Sequence, residues 1–300
     1  MAGNNDGKKE GIMTERGKGL LAINGAVLLF GTAGLFGKLL VLSPVLIVLG
    51  RVAFASLALF LYLLSNKEVL ILERRISHYL LMLLLGVLLA FHWWTFFHSI
   101  QISTVAVGLL SFSTFPVYVA LLEPLLFKEK FSIKHIILAL LILVGIRLLL
   151  PRSIFPHNIL QGILWGSVSG LLFAFLTLIN RKMVSFYSAG TVALYQNFIA
   201  FLILLPFSYS HLGEINWVPD IFMLLFLGVI FTAVSHTLFI YGLKSVKARV
   251  ASIIACLEPL YGIVFAILIL SEIPGQQTVI GGVIVIGTVF YTILSKKQVN

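Results

Sequence analysis

Apolar and polar positions along this chain alternate on a coarse scale, with runs of about twenty apolar residues separated by short polar segments. A bilayer core takes about 20 mostly apolar residues per helix. The pattern predicts ten spans, at 20–38, 44–64, 78–98, 103–126, 133–150, 159–179, 190–210, 220–242, 248–270 and 277–295. A membrane barrel would instead alternate apolar and polar at every second residue, and no such alternation runs through the chain. The expected fold class is therefore an all-α polytopic membrane protein with ten transmembrane helices.

Composition agrees. Of 300 residues, 60% are hydrophobic and 11% charged, where a soluble domain carries about 25% charged residues to coat its surface. The formal charge of +10 raises the question of nucleic acid, but its placement answers it. With a cytoplasmic N-terminus, 17 of the 21 Lys and Arg fall in segments on the cytoplasmic side. Lys38, Arg147 and Arg152 fall at the outer ends, and Arg51 lies within the second span. That is the positive-inside distribution, so basicity here reports topology and predicts a lipid partner rather than a nucleic acid. Both termini are expected in the cytoplasm. The first run is too long for a signal-peptide core, so residues 1–18 read as a short cytosolic tail. The single cysteine, Cys256, leaves no disulfide framework and no cysteine-built metal site.

The tetrapeptide LEPL occurs at 122–125 and at 257–260, but under that shift of 135 residues the flanks disagree. Better registers exist. A shift of 143 places Pro116 on Pro259 and Glu129 on Glu272; 142 places LGV at 85–87 on LGV at 227–229; and near 145 Ser43 meets Ser188 and Arg51 meets Gln196. Nearly constant offsets mark a duplicated unit with small insertions. Five spans per unit is odd, so the second copy enters the membrane from the opposite side. Charges follow: KSVKAR at 244–249 is basic where its counterpart SIQIST at 99–104 is uncharged, and FKEKFS at 127–132 is basic where LSEIPG at 270–275 is not. The prediction is a five-plus-five inverted repeat, an arrangement that in many secondary transporters surrounds a cavity at the membrane midplane.

Ten spans in that duplication, FGTAGLFGK in the first span, Arg51 in the second, FP then FKE around the fourth, and LEPLYGIVFAILILSE followed by IGGVIVIG resemble the drug/metabolite transporter superfamily, EamA type. The resemblance covers nearly the whole chain, with one repeat at 19–150 and the other at 159–295. It implies a carrier of the bacterial cytoplasmic membrane, typically an exporter of amino acids or other small metabolites, with a central cavity between the halves. Glu123 and the Trp93-Trp94 pair beside His92 depart from the family pattern.

Ionisable groups inside a membrane cost roughly 2.5–3.5 kcal/mol each on insertion scales, so each requires a reason. Glu258 stands nine residues beyond Arg249, about 13 Å along a helix at 1.5 Å per residue, close to the midplane. Pro259 follows it and leaves the Ala255 carbonyl without its helical donor. Pro116 and Pro259 are the expected helix-kink sites, and a Glu-Pro pair at this point is common in the resembled family. Glu258 is read either as a coupling or substrate group or as a structural interhelical bond. Arg51 either snorkels to the outer interface or clamps an anion, with Gln196 and Asn197 as its polar counterparts in the second repeat. Glu123 is expected to pair at the interface with Lys128 and Lys130. The stretch FHWWTFFHS places His92, Thr95, Phe96 and Ser99 on one face, with Trp94 beside them. This is either a wall for an aromatic or cationic solute or an interfacial aromatic belt. His236 is read as a cavity residue or a satisfied core histidine.

Gly31, Gly34 and Gly37 mimic a phosphate loop but sit on a membrane helix with no preceding strand, which suits close helix packing instead. WGSVSGLL at 165–172 has Val168 where a hydrolase would need its nucleophile. No metal motif and no cofactor motif is present, so neither a metal nor a cofactor is expected. The favoured function is a secondary transporter of a small amino acid-like or cationic metabolite by alternating access, with export as the expected direction and protons as the candidate coupling ion. It would act as a monomer or homodimer. The alternatives are an intramembrane enzyme, which lacks a nucleophile, and a membrane scaffold, which lacks long loops.

Overall fold

The structure, a computed structural model, describes residues 14–68, 71–73, 75–103, 105–149, 158–261 and 276–294, and among the described residues there is no strand. The first half holds α1 (Glu15–Ala33), a short α2 (Phe36–Leu39), α3 (Pro44–Ser65), α4 (Ile76–Ile102), α5 (Val105–Phe112), α6 (Phe115–Phe127) and α7 (Ile133–Leu149). The second half holds α8 (Asn158–Met183), α9 (Ala189–Ser208), a 3-10 turn (Tyr209–Glu214) and α10 (Trp217–Gly228). A π-helical turn (Val229–Val234) then leads into α11 (Ser235–Gly242), α12 (Ala248–Ala255) and α13 (Gln276–Leu294).

Local chemistry sets the helix starts. Thr14 Oγ1 accepts from the Gly17 N–H at 3.1 Å, and Ser188 Oγ accepts from the Thr191 N–H at 3.1 Å, each satisfying one donor that a first turn leaves orphaned. At the matching start of α3, Pro44 follows Ser43 and has no N–H to satisfy. Helix α1 begins at Glu15, inside the segment expected to be tail. Residues 1–13 of that tail, the join at 150–157, the last part of the ninth span with Glu272, and the C-terminus from 295 lie outside the described residues.

Six described helical stretches are long and apolar enough to cross a bilayer: Glu15–Leu39, Pro44–Ser65, Ile76–Ile102, Asn158–Met183, Ala189–Glu214 and Trp217–Gly242. Three shorter apolar helices, Phe115–Phe127, Ile133–Gly145 and Val279–Tyr291, accompany them. Two of the ten expected spans are interrupted, and the interruptions have a physical source. The fourth span breaks at 113–114 and the ninth at 256–257, immediately before the helices that carry Pro116 and Pro259 at their second position. A proline near a helix start loses no hydrogen bond, whereas the same proline inside a continuous helix would.

These breaks are in register. Helices α5 and α12 each span eight residues and begin and end 143 positions apart, and the breaks touch, Cys256 Sγ lying 4.0 Å from the Ser113 carbonyl oxygen. Packing repeats the relation. Helix α4 packs on α8 as α11 packs on α1, and α4 packs on α9 as α10 packs on α3. The pairs α3 with α9 and α7 with α13 map onto themselves. Close approaches are duplicated down to single residues. A Cβ on Gly19 would meet Ser245 Oγ at 2.2 Å, and one on Gly162 would meet Ser103 Oγ at 2.4 Å. A Cβ on Gly86 would meet Ile199 Cβ at 2.4 Å, and one on Gly228 would meet Phe54 Cβ at 2.6 Å. Small residues that let backbones approach replace the hydrophobic driving force that helices lack in lipid. The architecture is the five-plus-five inverted repeat of a polytopic membrane protein.

Candidate functional site

Where the two halves meet, Phe30 of α1, His92, Trp93 and Phe96 of α4, Phe112 of α5, Phe173 of α8 and Glu258 enclose a cavity of ≈ 10 Å³. That is about the room one water requires. Glu258 is 5% exposed and its carboxyl group has no hydrogen-bond partner among the described residues, so it faces the cavity rather than a protein donor. The surrounding rings pack edge to face and tilted, with His92 4.8 Å from Phe173 and 5.5 Å from Phe112 between centroids. His92 is anchored across to α8, its Nδ1 lying 2.8 Å from Ser169 Oγ and 3.1 Å from Ser169 O. The Ser169 hydroxyl in turn donates to the His92 carbonyl at 3.0 Å.

Arg51 lies behind Trp93. It is completely buried rather than snorkelling. Its Nε donates to Thr232 Oγ1 at 2.9 Å, its Nη2 donates to the Phe231 carbonyl at 3.2 Å, and its guanidinium carbon stands 3.4 Å over the Trp93 ring. Thr232 Oγ1 itself donates to the Leu227 carbonyl five residues back, which is the spacing of the π-helical turn that carries it. Arg51 and Glu258 are within electrostatic reach yet do not pair, and Arg51 Nη1 has no partner among the described residues. His236 completes this group, 5.3 Å from Phe30 and 5.6 Å from Trp93 by ring centroids, with Nε2 unpartnered among the described residues.

The other expected residues are placed elsewhere. Trp93, not Trp94, forms the cavity wall. Trp94 stacks on His98 at 5.4 Å and meets Trp165, lining a separate groove with Phe91 and Phe207 that opens at the outside of the bundle. Gln196 and Asn197 are fully buried on α9. Asn197 Nδ2 donates to the Ala193 carbonyl, while the Gln196 amide has no partner among the described residues, and neither residue lines the central cavity. A larger groove of ≈ 510 Å³ between α3 and α9 is lined by Phe60, Tyr195 and Phe198. With Phe60 and Phe198 nearly half exposed there, it is a lipid-facing surface.

Glu123 does not pair with Lys128 and Lys130. Its carboxylate, completely buried, takes Arg181 Nη1 at 2.6 Å and Arg249 Nε at 3.2 Å. It also accepts the Ala248 N–H at 2.8 Å, and so caps α12 from another helix, where the aligned backbone dipoles favour an anion. Glu129 joins the same cluster through Arg181 Nη2 at 2.8 Å, Lys247 Nζ at 3.1 Å and Arg249 Nη2. Lys128, in the left-handed region at φ 52°, turns the chain back so that the Glu129 N–H reaches the Pro124 carbonyl. Sequence spacing pointed to the lysines next along the chain. The structure selects arginines 58 and 126 positions away, and the sequence signalled only that their segments share one end of the bundle, through the charge distribution and the inverted repeat.

The two ends of the bundle thus differ. One end gathers this cluster together with Ser245 Oγ on the Glu15 carbonyl, Ser188 Oγ on Glu68, and His78 on Tyr187. The other is joined by Lys38 to the Gln101 and Ser103 carbonyls, by Gln101 to the Leu42 carbonyl, and by the Ser43 N–H to Glu214.

Similarity to known proteins agrees with this arrangement. Uncharacterized transporter YxxF of Bacillus subtilis (strain 168) is 24% identical over 279 residues, covering 91% of this chain and 88% of the relative. An uncharacterized transporter of Archaeoglobus fulgidus is 31% identical over 196 residues, covering 62% of this chain and 68% of the relative. A crystal structure superposes with a TM-score of 0.77 at 15% identity, over 92% of this chain and 96% of that one, which speaks to the fold alone. The EamA-like transporter family matches twice, at residues 17–150 and 160–294, once on each half of the duplicated bundle, and the chain belongs to that family.

Proposed function

We propose that the chain is a secondary carrier that moves a small amino acid-like or cationic metabolite by alternating access around the Glu258 cavity. One observation carries the reading: an unpartnered carboxylate faces an enclosed space between the two repeats, at the point where a membrane helix is interrupted. A buried charge with no partner is retained against a substantial cost only if something arrives to meet it. The candidates are a solute and a proton, and exchange of one for the other would couple export to the proton gradient.

In this conformation the cavity holds about one water, so it is occluded and a solute enters only when the halves part. The ion cluster of Glu123, Glu129, Arg181, Lys247 and Arg249 ties α6, α8 and α12 at one end. We assign it to the cytoplasmic closure of a bacterial inner-membrane protein, because the basic residues concentrate at that end.

The test is transport by purified protein in liposomes that enclose a pH-sensitive dye, challenged with pooled amino acids and pooled organic cations. The expected result is proton movement with one pool, abolished by Glu258→Gln. Equal substrate-dependent flux in wild type and variant would make Glu258 structural and overturn its assignment.

A further inference from the structure

The bonds that anchor His92 fix which of its ring nitrogens carries the proton. The Ser169 carbonyl can only accept, so the Nδ1 at 3.1 Å from it must be a donor. The Ser169 hydroxyl leads to the same assignment. Its one proton is given to the His92 carbonyl at 3.0 Å, leaving only a lone pair to offer Nδ1 at 2.8 Å. Reversing that bond would set Nδ1 and the Ser169 carbonyl lone pair to lone pair and release the His92 carbonyl contact. In the uncharged ring Nε2 is then a bare acceptor, since a neutral imidazole carries one N–H. Nε2 has no partner among the described residues, and His92 lines the central cavity.

The cavity is lined by Glu258, His92 and the rings of Phe30, Trp93, Phe96, Phe112 and Phe173, and the buried Trp93 indole N–H also has no partner among the described residues. Carboxylate and imidazole both accept hydrogen bonds, and aromatic faces attract cations. The nearby guanidinium of Arg51 is not part of the wall: Trp93 covers it, and two of its nitrogens are spent on Thr232 and Phe231.

We infer that the central cavity recognises a protonated amine bearing N–H donors, with Glu258 neutralising the charge and His92 Nε2 taking one N–H, so that His92 is a specificity-determining residue and Ser169 its positioning residue. This rests on the reading of the cavity as the solute site and narrows the solute class. An aromatic cage with a carboxylate would accept a quaternary ammonium equally well. The locked acceptor is what discriminates, because a site built to bond an N–H loses much of its affinity for an analogue that lacks one.

The test compares phenethylamine with its N,N,N-trimethyl derivative, which shares the charge and the ring but has no N–H. Binding to purified protein in detergent is followed by tryptophan fluorescence, and phenylpropionate serves as the anionic control. Wild type is expected to bind the primary amine at least about tenfold more tightly than the trimethyl compound. His92→Asn keeps a side-chain amide N–H where Nδ1 stood, and so can still reach Ser169, but has no atom at Nε2. It is expected to bring the ratio near one by weakening the primary amine far more than the trimethyl compound, and unfolding at the wild-type temperature would show that the helix packing is intact. Ser169→Ala frees the ring to change tautomer and should give an intermediate ratio. A wild-type ratio of one, or preferential binding of phenylpropionate, overturns the proposal. If neither amine binds while the liposome assay still shows Glu258-dependent flux with another solute, the amine class is wrong and the carrier reading survives. If no pool gives flux and neither amine binds, the cavity is not a solute site and both readings fail.

Discussion

At the scale of single residues, glycines and one threonine set how closely the helices approach. The space at Gly228 is bounded by Phe54 Cβ at 2.6 Å and by the Arg51 carbonyl at 2.7 Å, and at Gly86 by Ile199 Cβ at 2.4 Å. None of these is the loose end of a side chain, so an added methyl has to push helices apart. Gly25, in the interior of α1, has only Leu238 Cδ1 at 3.8 Å. The expected outcome is opposite in sign: Gly86→Ala and Gly228→Ala destabilise by about 1–3 kcal/mol through overpacking, while Gly25→Ala gains up to about 1 kcal/mol of helix propensity. Thermal unfolding in detergent measures all three. Thr232 gives a second case, because its hydroxyl both accepts from Arg51 and donates to Leu227. Thr232→Val keeps the shape and removes both bonds, leaving a buried guanidinium N–H unmet at about 1–3 kcal/mol, and Thr232→Ser should restore most of the loss. Equal stability of the Val and Ser variants would show that Arg51 finds another acceptor.

At the scale of elements, the ion cluster joins α6, α8 and α12 through charges that are well shielded from water. Removing one member leaves its partners uncompensated, which for a buried pair costs about 3–5 kcal/mol. Glu123→Gln is expected near that range, since Glu123 also caps α12. Glu129 lies past the end of α6 and adds a pH dependence. Burial opposes its charge, but hydrogen bonds from Arg181 and Lys247 outweigh burial and hold its carboxyl below the ordinary value of 4.5. A carboxyl with a lowered folded value contributes stability that is complete above its unfolded value and is lost as pH falls through the folded one. The contribution of Glu129 should therefore hold through neutral pH and weaken only in acid below about 4.5. Unfolding temperature followed between about pH 3 and pH 7 should show an acid limb that is reduced in Glu129→Gln; an unchanged limb would remove Glu129 from the account. This element also marks the limit of what the sequence discloses. Span positions and the inverted repeat follow from apolar runs and offsets, because membrane helices are specified by local composition, whereas Pro116 and Pro259 suggested kinks where the structure has full interruptions. The partners of Glu123 and the exchange of Trp93 for Trp94 are set by helix rotation and packing, for which a nearly all-apolar helix carries little amphipathic signal. Arg51 is a similar case: its depth is legible, but its bond to a π-helical turn 180 residues on is not.

At the scale of the whole molecule, the proposed cycle requires the halves to part at a junction that is now shut. That junction contains the chain's one cysteine. Cys256 is 1% exposed, lies where the two interrupted helices touch, and is two residues from Glu258. Its thiol packs against the Ser252 and Ser113 carbonyls at 3.5 and 4.0 Å, so a maleimide cannot reach it while the cavity is occluded. An open state would expose it, and the rate of labelling then reports how often the junction opens, as proteolysis and exchange report other local openings. Because the cluster holds one end closed, Glu129→Gln and Arg181→Ala should shift the population toward the open form and accelerate N-ethylmaleimide labelling of Cys256. One kcal/mol of shift corresponds to about a fivefold faster rate. A transported solute should change the rate in wild type, since a ligand that binds the two states unequally must move their balance. Labelling that is slow in wild type, fast in the cluster variants and responsive to solute is the expected pattern. Labelling equally slow in all of them, in variants that still unfold cooperatively, would mean that the cluster does not restrain the junction, and the assignment of those five charged residues as a closure would have to be abandoned.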